Sequence, residues 1–470
     1  MALDKRFVCE KILQPNSDNV SYRHFIDCGY VRTKVIDEIS REPFGIYIIS
    51  AAPGYGKTAT AKILEAECIS ARRCIPVYVQ LSAAAKDRVR EYLFREFKRM
   101  FVERGGELLR YYAGDYVDKL KKSEDYFLDV LGMMYCSKMC GNLPHALLII
   151  DELTAPFASS PVLKWEELER ALAELDHFLR DVQNTYCNPV GGVVLMGHWP
   201  HDVTNRITSA LMSTMFGGLD RVRFGRVRPY TDGDFIPVGD SPRRFAETVL
   251  SAYGLDVSQL VLDAYAELAA RLPLRKANRL LYWLAMGVQP SSNALGKLSH
   301  LVEDELAELL GGKARARGLG GERDVLLPDG RCVEIKVRSR VDRAEVERLA
   351  GEYKSRGCTT VFISPECNGL PQCVEVKMID GLATVLLGQN LLELDDVQFG
   401  VVVEKVARPV ARRIAELVAN FVKAESKVEP RGECRDLLQF FEEDCKSLNR
   451  RARSEWRAKS KLLKALNGWR

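Results

Sequence analysis

Gly56-Lys57-Thr58 closes a loop whose residue types suit the grip of a polyphosphate. The three residues end the run IYIISAAPGYGKT at 46–58, an apolar β-type stretch that breaks into a loop with glycines at 54 and 56. Glycines there let successive backbone N–H groups turn inward around phosphate oxygens, and a helix starting at that point offers its positive end to the same anion. Lys57 would reach the β- and γ-phosphates, and Thr58 would offer its hydroxyl to Mg²⁺. Pro53, Gly54, Tyr55, Gly56, Lys57, Thr58 and Ala59 are therefore the expected nucleotide contacts. The first position of the pattern G-x-x-x-x-G-K-[ST] is Ala51, which adds only a methyl group where the strand already turns.

Two further groups of residues carry chemistry. The run ALLIIDE at 146–152 ends in adjacent carboxylates. Asp151 would hold Mg²⁺ through water, and Glu152 would polarise an attacking water as general base. Downstream, RDVLLPDGRCVEIKV at 323–337 reads as two strands around a Pro-Asp-Gly turn. Period-2 alternation puts Glu334 and Lys336 on one face, and a hairpin can fold Asp324 beside them. Two carboxylates and a lysine at one point suit metal-dependent phosphodiester cleavage: the acids, Asp324 and Glu334, bind the ion, and the lysine orients the nucleophile.

These residues need a scaffold, and the pattern supplies one. Strand-like runs at 46–50, 75–81, 146–150, 191–197 and, more weakly, near 221–227 alternate with helical stretches. That alternation indicates a parallel sheet with helices on both faces. Residues 84–145 read as a mostly helical insertion, broken near Gly105-Gly106 and Gly114. RRFAETVLSAYG, QLVLDAYAELAARL and RKANRLLYWLA each carry an apolar stripe and read as a small helical lid. The expected units are an ATPase core at 1–228, the lid at 229–292, a second α/β unit at 293–400 and a helical basic C-terminal region at 401–470.

Composition sets outer bounds. The 470 residues are 47% hydrophobic and 28% charged, as in an ordinary globular protein. No run approaches the length of a membrane span and MALDKRFVCEKILQ has no secretory pattern, so a cytoplasmic protein without a membrane partner is expected. A net charge of only +4 requires any nucleic-acid contact to come from local patches. The 13 cysteines show no CxxC pair and read as mostly buried thiols, with an intracellular disulfide of the kind thermophiles keep left open. Two basic patches stand out: KSLNRRARSEWRAKSKLLKALNGWR at 446–470, and Lys313, Arg315, Arg317, Arg323, Arg338 and Arg340 around the second carboxylate pair. Both suit a phosphate backbone and make DNA the expected partner. The tail reads equally as an amphipathic helix that packs Leu462, Leu463, Leu466 and Trp469 on the body.

The succession of phosphate loop, strand ending in Asp-Glu, strand ending in a polar residue, then helical lid resembles AAA+ ATPases, in particular archaeal-type ATPases and origin-recognition initiators, over about residues 20–290. The resemblance implies ATP, since no N-K-x-D guanine-reading motif follows the strands, and it implies Mg²⁺ as the second cofactor. It makes His198 a sensor of the γ-phosphate, with a simple strand-end cap as the alternative, and Arg275 of LPLRKANRLL the lid arginine that approaches the nucleotide. Such proteins also borrow an arginine from a neighbouring subunit. Here Ser213-Thr214-Met215-Phe216 replaces the usual Ser-Arg-Phe, which leaves Arg221 or Arg223 for that role and the homo-oligomer open. Residues 296 to about 395 resemble PD-(D/E)xK nucleases, closest in order to archaeal Holliday-junction resolvases, whose first helix brings a further acidic ligand. LVEDELAELLG then makes Glu303 that metal ligand, with Glu305 as fallback.

Taken together, an ATP-driven DNA-processing protein is expected, in which the ATPase drives or gates a Mg²⁺-dependent nuclease-fold domain. The alternative is an ATP-switched DNA- or protein-binding module, initiator-like or a transposition or conjugation helper, whose C-terminal domain does not cleave.

Overall fold

The computed structural model describes residues 4–14, 20–82, 88–113, 132, 135–136, 144–156, 165–187, 189–212, 217–220, 227–288, 291–318 and 321–425. β1 (Gly45–Ser50), β2 (Ile75–Gln80), β3 (Ala146–Asp151), β4 (Val190–Gly197) and β5 (Val227–Tyr230) form one sheet in the order β2-β3-β4-β1-β5, with every pairing parallel. β1, β3 and β4 are buried along their whole length, which is why they read as unbroken apolar runs. β4 lies between the other two and passes so close to the preceding loop that a Cβ on Gly192 would collide with the Pro43 carbonyl. β2 is an edge strand and accommodates Pro76 there.

Alternate residues of these strands feed two cores. Tyr47, Ile49, Leu147, Ile149, Val194 and Met196 pack beneath the helices Lys34–Arg41 and Lys57–Ala71. Ile48, Val77, Val79, Leu148, Ile150 and Leu195 pack beneath Val89–Ala113, Trp165–Tyr186 and His201–Met212. The result is an open, mixed α/β unit whose strand tips, and with them the phosphate loop, face one edge.

Three helices follow where a lid is expected, Ser241–Ala252, Gln259–Arg271 and Leu274–Ala285. Next come the helix Ser292–Leu310 and a second sheet, in which β6 (Lys313–Gly318), β7 (Gly321–Leu326), β8 (Cys332–Val337), β9 (Cys358–Ser364) and β10 (Cys373–Glu375) are ordered β10-β9-β8-β7-β6. β6, β7 and β8 pair antiparallel, and β8, β9 and β10 pair parallel. Arg343–Lys354 crosses from β8 to β9, so the α-β-β-β-α-β order expected of this part is present, with β10 added.

Several expectations change. The helix Lys5–Leu13 packs on Tyr22–Cys28 and, through Val8, Cys9 and Leu13, joins the core of the helices after residue 241. A cut at 228 would fall inside β5, which spans 227–230 and not 221–227; the residues before it lie outside the described ones. Val89–Ala113 continues through Gly105-Gly106 without a break: glycine weakens a helix by only about 1 kcal/mol, and Val89, Leu93, Phe97 and Phe101 anchor the helix's first half in the core. Gly114, Arg221, Arg223 and the basic tail at 446–470 are outside the described residues. The lid, second sheet and last helix Arg408–Glu425 do not form separate cores: Leu281, Leu284, Val302, Ile335, Leu382 and Ile414 belong to one continuous cluster.

The cysteines are also corrected. Ten of them pair as Cys9–Cys28, Cys68–Cys74, Cys136–Cys187, Cys332–Cys358 and Cys367–Cys373, with Cα–Cα separations of 4.4–5.5 Å that suit disulfides. Such cross-links persist in oxidising compartments or inside hyperthermophiles. No helix among the described residues is long and apolar enough to cross a membrane.

Candidate nucleotide site and a second carboxylate cluster

The phosphate loop leaves β1 at Ser50 and enters its helix at Lys57. Gly54 and Gly56 have φ of +91° and +93°, the left-handed region that glycine enters without penalty. Ala51 has no positive φ, so its side chain is tolerated at the motif's first position. The buried Lys57 ammonium donates to the Ala51 carbonyl across the loop at 2.5 Å, and burial lowers its pKa. Tyr55 packs edge-on against Phe235, and Thr60 N–H donates to the Gly56 carbonyl, turning the loop into the helix across Ala59. Pro53 is exposed at the loop's tip.

The acids of β3 stand opposite. Thr58 Oγ1 donates to Asp151 Oδ2 at 2.8 Å, and the Tyr78 hydroxyl donates to the same oxygen at 3.1 Å. Asp151 Oδ1 is buried and makes no hydrogen bond among the described residues. Leaving such an oxygen unsatisfied costs about 1–3 kcal/mol, more when it is charged. A hydroxyl and a carboxylate with an orphaned oxygen, both beside a phosphate loop, fit a hydrated Mg²⁺. Glu152 follows with φ +57°, and burial, reinforced by the neighbouring Asp151 charge, raises its pKa. His198, exposed at the tip of β4, lies close enough to Glu152 to oppose that rise. β4 runs between β1 and β3, so His198 sits between loop and acids.

The lid touches this site directly. Arg275 N–H donates to the Gly54 carbonyl at 3.2 Å, and its Cβ and Cδ lie against Gly54. The same helix is tied to the far unit by Trp283 Nε1 donating to the Leu391 carbonyl at 2.9 Å and by the Arg279–Glu393 ion pair at 2.5 Å.

Two residues at this site escaped sequence reasoning. Asp232 Oδ1 accepts from Ala52 N–H at 2.7 Å and pins the loop's entry. Its signal was the Thr231-Asp232-Gly233-Asp234 turn directly after β5, which forms a 3-10 helix at Asp232–Asp234. Tyr78 sits in an apolar strand, where nothing local marks its hydroxyl.

In the second sheet, Lys336 Nζ reaches Asp324 Oδ2 at 3.2 Å and Glu334 Oε2 at 3.3 Å, so the three residues converge. Asp324 Oδ2 also accepts from Ile335 N–H at 2.8 Å. Glu334 is buried, and that burial, followed by the Asp324 charge, raises its pKa. Two adjacent carboxylates that share one ammonium fit a site where a divalent cation would replace part of that neutralisation. Glu303 does not join them. Its carboxylate is held by Ser299 Oγ at 3.1 Å, His300 Nδ1 at 3.2 Å and Arg315 at 3.5 Å. The fallback Glu305 faces Arg408 and Arg412 of the last helix. No group of three or more His, Cys, Asp or Glu stands within metal-holding distance among the described residues. The helix that carries Glu303 packs on the second sheet, but its acids point to cations on β6 and on the last helix.

No family model matches the chain, and no curated protein does. Among solved structures, Cdc6p from Pyrobaculum aerophilum aligns over 64% of this chain and 78% of its own, with 14% identity and a TM-score of 0.28. A likeness that shallow is no basis for a family, and the P-loop character of the first unit stands on its parallel sheet, its loop and the acids opposite.

Proposed function

We propose that this chain binds and hydrolyses Mg²⁺-ATP at the loop closed by Lys57 and couples the nucleotide state to a second unit that acts on DNA phosphodiesters. The observation that carries the ATPase reading is the bond between Thr58 and Asp151, which sets a hydroxyl and a carboxylate with one orphaned oxygen beside the glycine loop. Bound Mg²⁺ would shield phosphate charge. The chain's own residues do the rest: Lys57 neutralises the β- and γ-phosphates, and Glu152, with its raised pKa, takes a proton from water. Arg275 on Gly54 gives the lid direct contact with the loop. The test is ATP turnover and nucleotide affinity in the parent and in Lys57→Ala; a parent that takes up no nucleotide sinks the reading.

DNA contact is supported by cations around Asp324, Glu334 and Lys336. Lys313 and Arg340 are exposed and form no ion pair among the described residues, which suits a polyanion. Cleavage is the activity that these three residues would support, tested by incubating branched, single-stranded and duplex DNA with Mg²⁺ or Mn²⁺ and repeating with Glu334→Ala. One observation favours the non-cleaving alternative: Glu303 is spent on Ser299, His300 and Arg315, so the cluster has two acids and not three. No product from any substrate would favour that binder.

A further inference from the structure

Tyr78 stands on the edge strand β2, beside β3 in parallel register, with Tyr78 opposite Ile149 and Gln80 opposite Asp151. Phenylalanine would fill this half-buried place equally well, so the hydroxyl asks for a reason. It lies 3.1 Å from Asp151 Oδ2, the oxygen that also receives Thr58 at 2.8 Å. The ring itself is clamped. Lys62 Nζ sits 3.5 Å from its centroid, and the same ammonium donates to Glu65 Oε2 at 2.9 Å. Glu65 is only 1% exposed and faces Arg104 at 3.7 Å. Lys62 and Glu65 stand about one and two turns beyond Thr58 on the phosphate-loop helix. That one helix therefore presents both the hydroxyl that touches Asp151 and the cation that holds Tyr78 against it. The ring, Lys62 and Glu65 also border a cavity of about 730 Å³, so core packing alone does not lock the ring.

We propose that Tyr78 is a positioning residue: it fixes Asp151 Oδ2 so that Oδ1 is left to face the nucleotide's metal ion, with Lys62 and Glu65 holding the ring in place. The inference rests on the Mg²⁺-ATP reading. Thr58 has one proton to give Asp151 and keeps its oxygen lone pairs for an ion, and a single hydrogen bond leaves the carboxylate free to pivot, so a second donor is needed to fix it. The Tyr78 bond does not conflict with that ion. It would orient the ligand before and after metal entry, as outer partners do at other metal sites.

The test measures the dissociation constant of AMP-PNP with Mg²⁺ and with EDTA, alongside the melting temperature. In the parent, Mg²⁺ should tighten binding. In Tyr78→Phe that gain should shrink about 10-fold or more, while the EDTA value stays unchanged. 3-Fluorotyrosine at position 78, which keeps shape and hydroxyl, should retain the parent's gain. An unchanged Mg²⁺ gain in Tyr78→Phe, or an equal loss with and without the ion, overturns the positioning role and leaves the ATPase reading intact. A parent that binds no AMP-PNP overturns both. If Tyr78→Phe fails to fold, the ¹⁹F resonance of 3-fluorotyrosine 78 in the otherwise unaltered chain decides: it should shift when Mg²⁺ joins the AMP-PNP complex, and a static signal overturns the role.

Discussion

Gly54→Ala separates conformational cost from steric cost at the phosphate loop. A Cβ at Gly54 would lie 3.8 Å from Pro273 Cβ and 3.9 Å from Arg275 Cβ, ordinary contact distances, so space is available. The backbone is the obstacle, because φ there is +91°. An L-residue pays about 1–2 kcal/mol to hold that region, which corresponds to a factor of roughly 5–30 in an equilibrium. The loop can escape by rotating, which turns its N–H groups from the anion and breaks the Gly54 carbonyl bond to Arg275. AMP-PNP titrated calorimetrically should therefore bind roughly 5–30-fold more weakly to Gly54→Ala. Gly29→Ala is the matched control: φ is +84°, nothing lies within 4 Å, and the residue ends the helix Tyr22–Cys28. It should lower the melting temperature and leave nucleotide affinity unchanged. Parent-like affinity in Gly54→Ala, or equal weakening by Gly29→Ala, would refute the claim that the loop's left-handed backbone is what grips phosphate.

Lys57→Met should abolish ATP turnover with the fold retained, checked by phosphate release and circular dichroism. Lys336→Met leaves Glu334 and Asp324 adjacent without their shared cation, so Mn²⁺ should raise the variant's melting temperature more than the parent's; no Mn²⁺ effect in either would remove the metal reading of the second sheet. Alkylation of the denatured, unreduced chain should leave the ten paired cysteines unlabelled, by mass spectrometry. The Cys332–Cys358 pair closes a separation of 26 residues, so its double Ser variant should lose about 3.5 kcal/mol of stability in denaturant. His145 is half-buried with its Nδ1 enclosed, and that burial lowers its pKa. The unfolded chain takes up that proton first as pH falls, so stability present above about pH 6.5 is lost below it. His145→Phe should flatten the fall in melting temperature between roughly pH 7 and pH 5, and an unaltered slope would refute it.

What was legible in the sequence was local. β1, β3 and β4 announced themselves as apolar runs because each is covered on both faces, and the loop between Ser50 and Lys57 carries its conformation in its own glycines. Asp324, Glu334 and Lys336 were placed together by strand alternation and one turn, and they do converge. What was hidden depends on partners far along the chain. Asp232 is pinned to Ala52 across 180 residues, and Tyr78 meets Asp151 across 73. Glu303 fits by helix position, but Arg315 on the neighbouring strand takes its charge. Cysteine pairing has no local signal without a CxxC pattern, and cores that merge across lid and second sheet look in sequence like separate amphipathic stripes.

The shared core of lid and second sheet has a practical meaning for anyone dissecting the molecule. The helix Leu274–Ala285 abuts the phosphate loop at its start and buries its flank with the helices beyond it. Truncation near residue 292 would tear open a greasy interior, and a split between Tyr230 and Ser241 is no cleaner, because Lys5–Leu13 lies in that same interior and Asp232 reaches back to Ala52. Chimeras that exchange the phosphate-loop unit should therefore keep Lys5–Leu13 with the helices it is buried among.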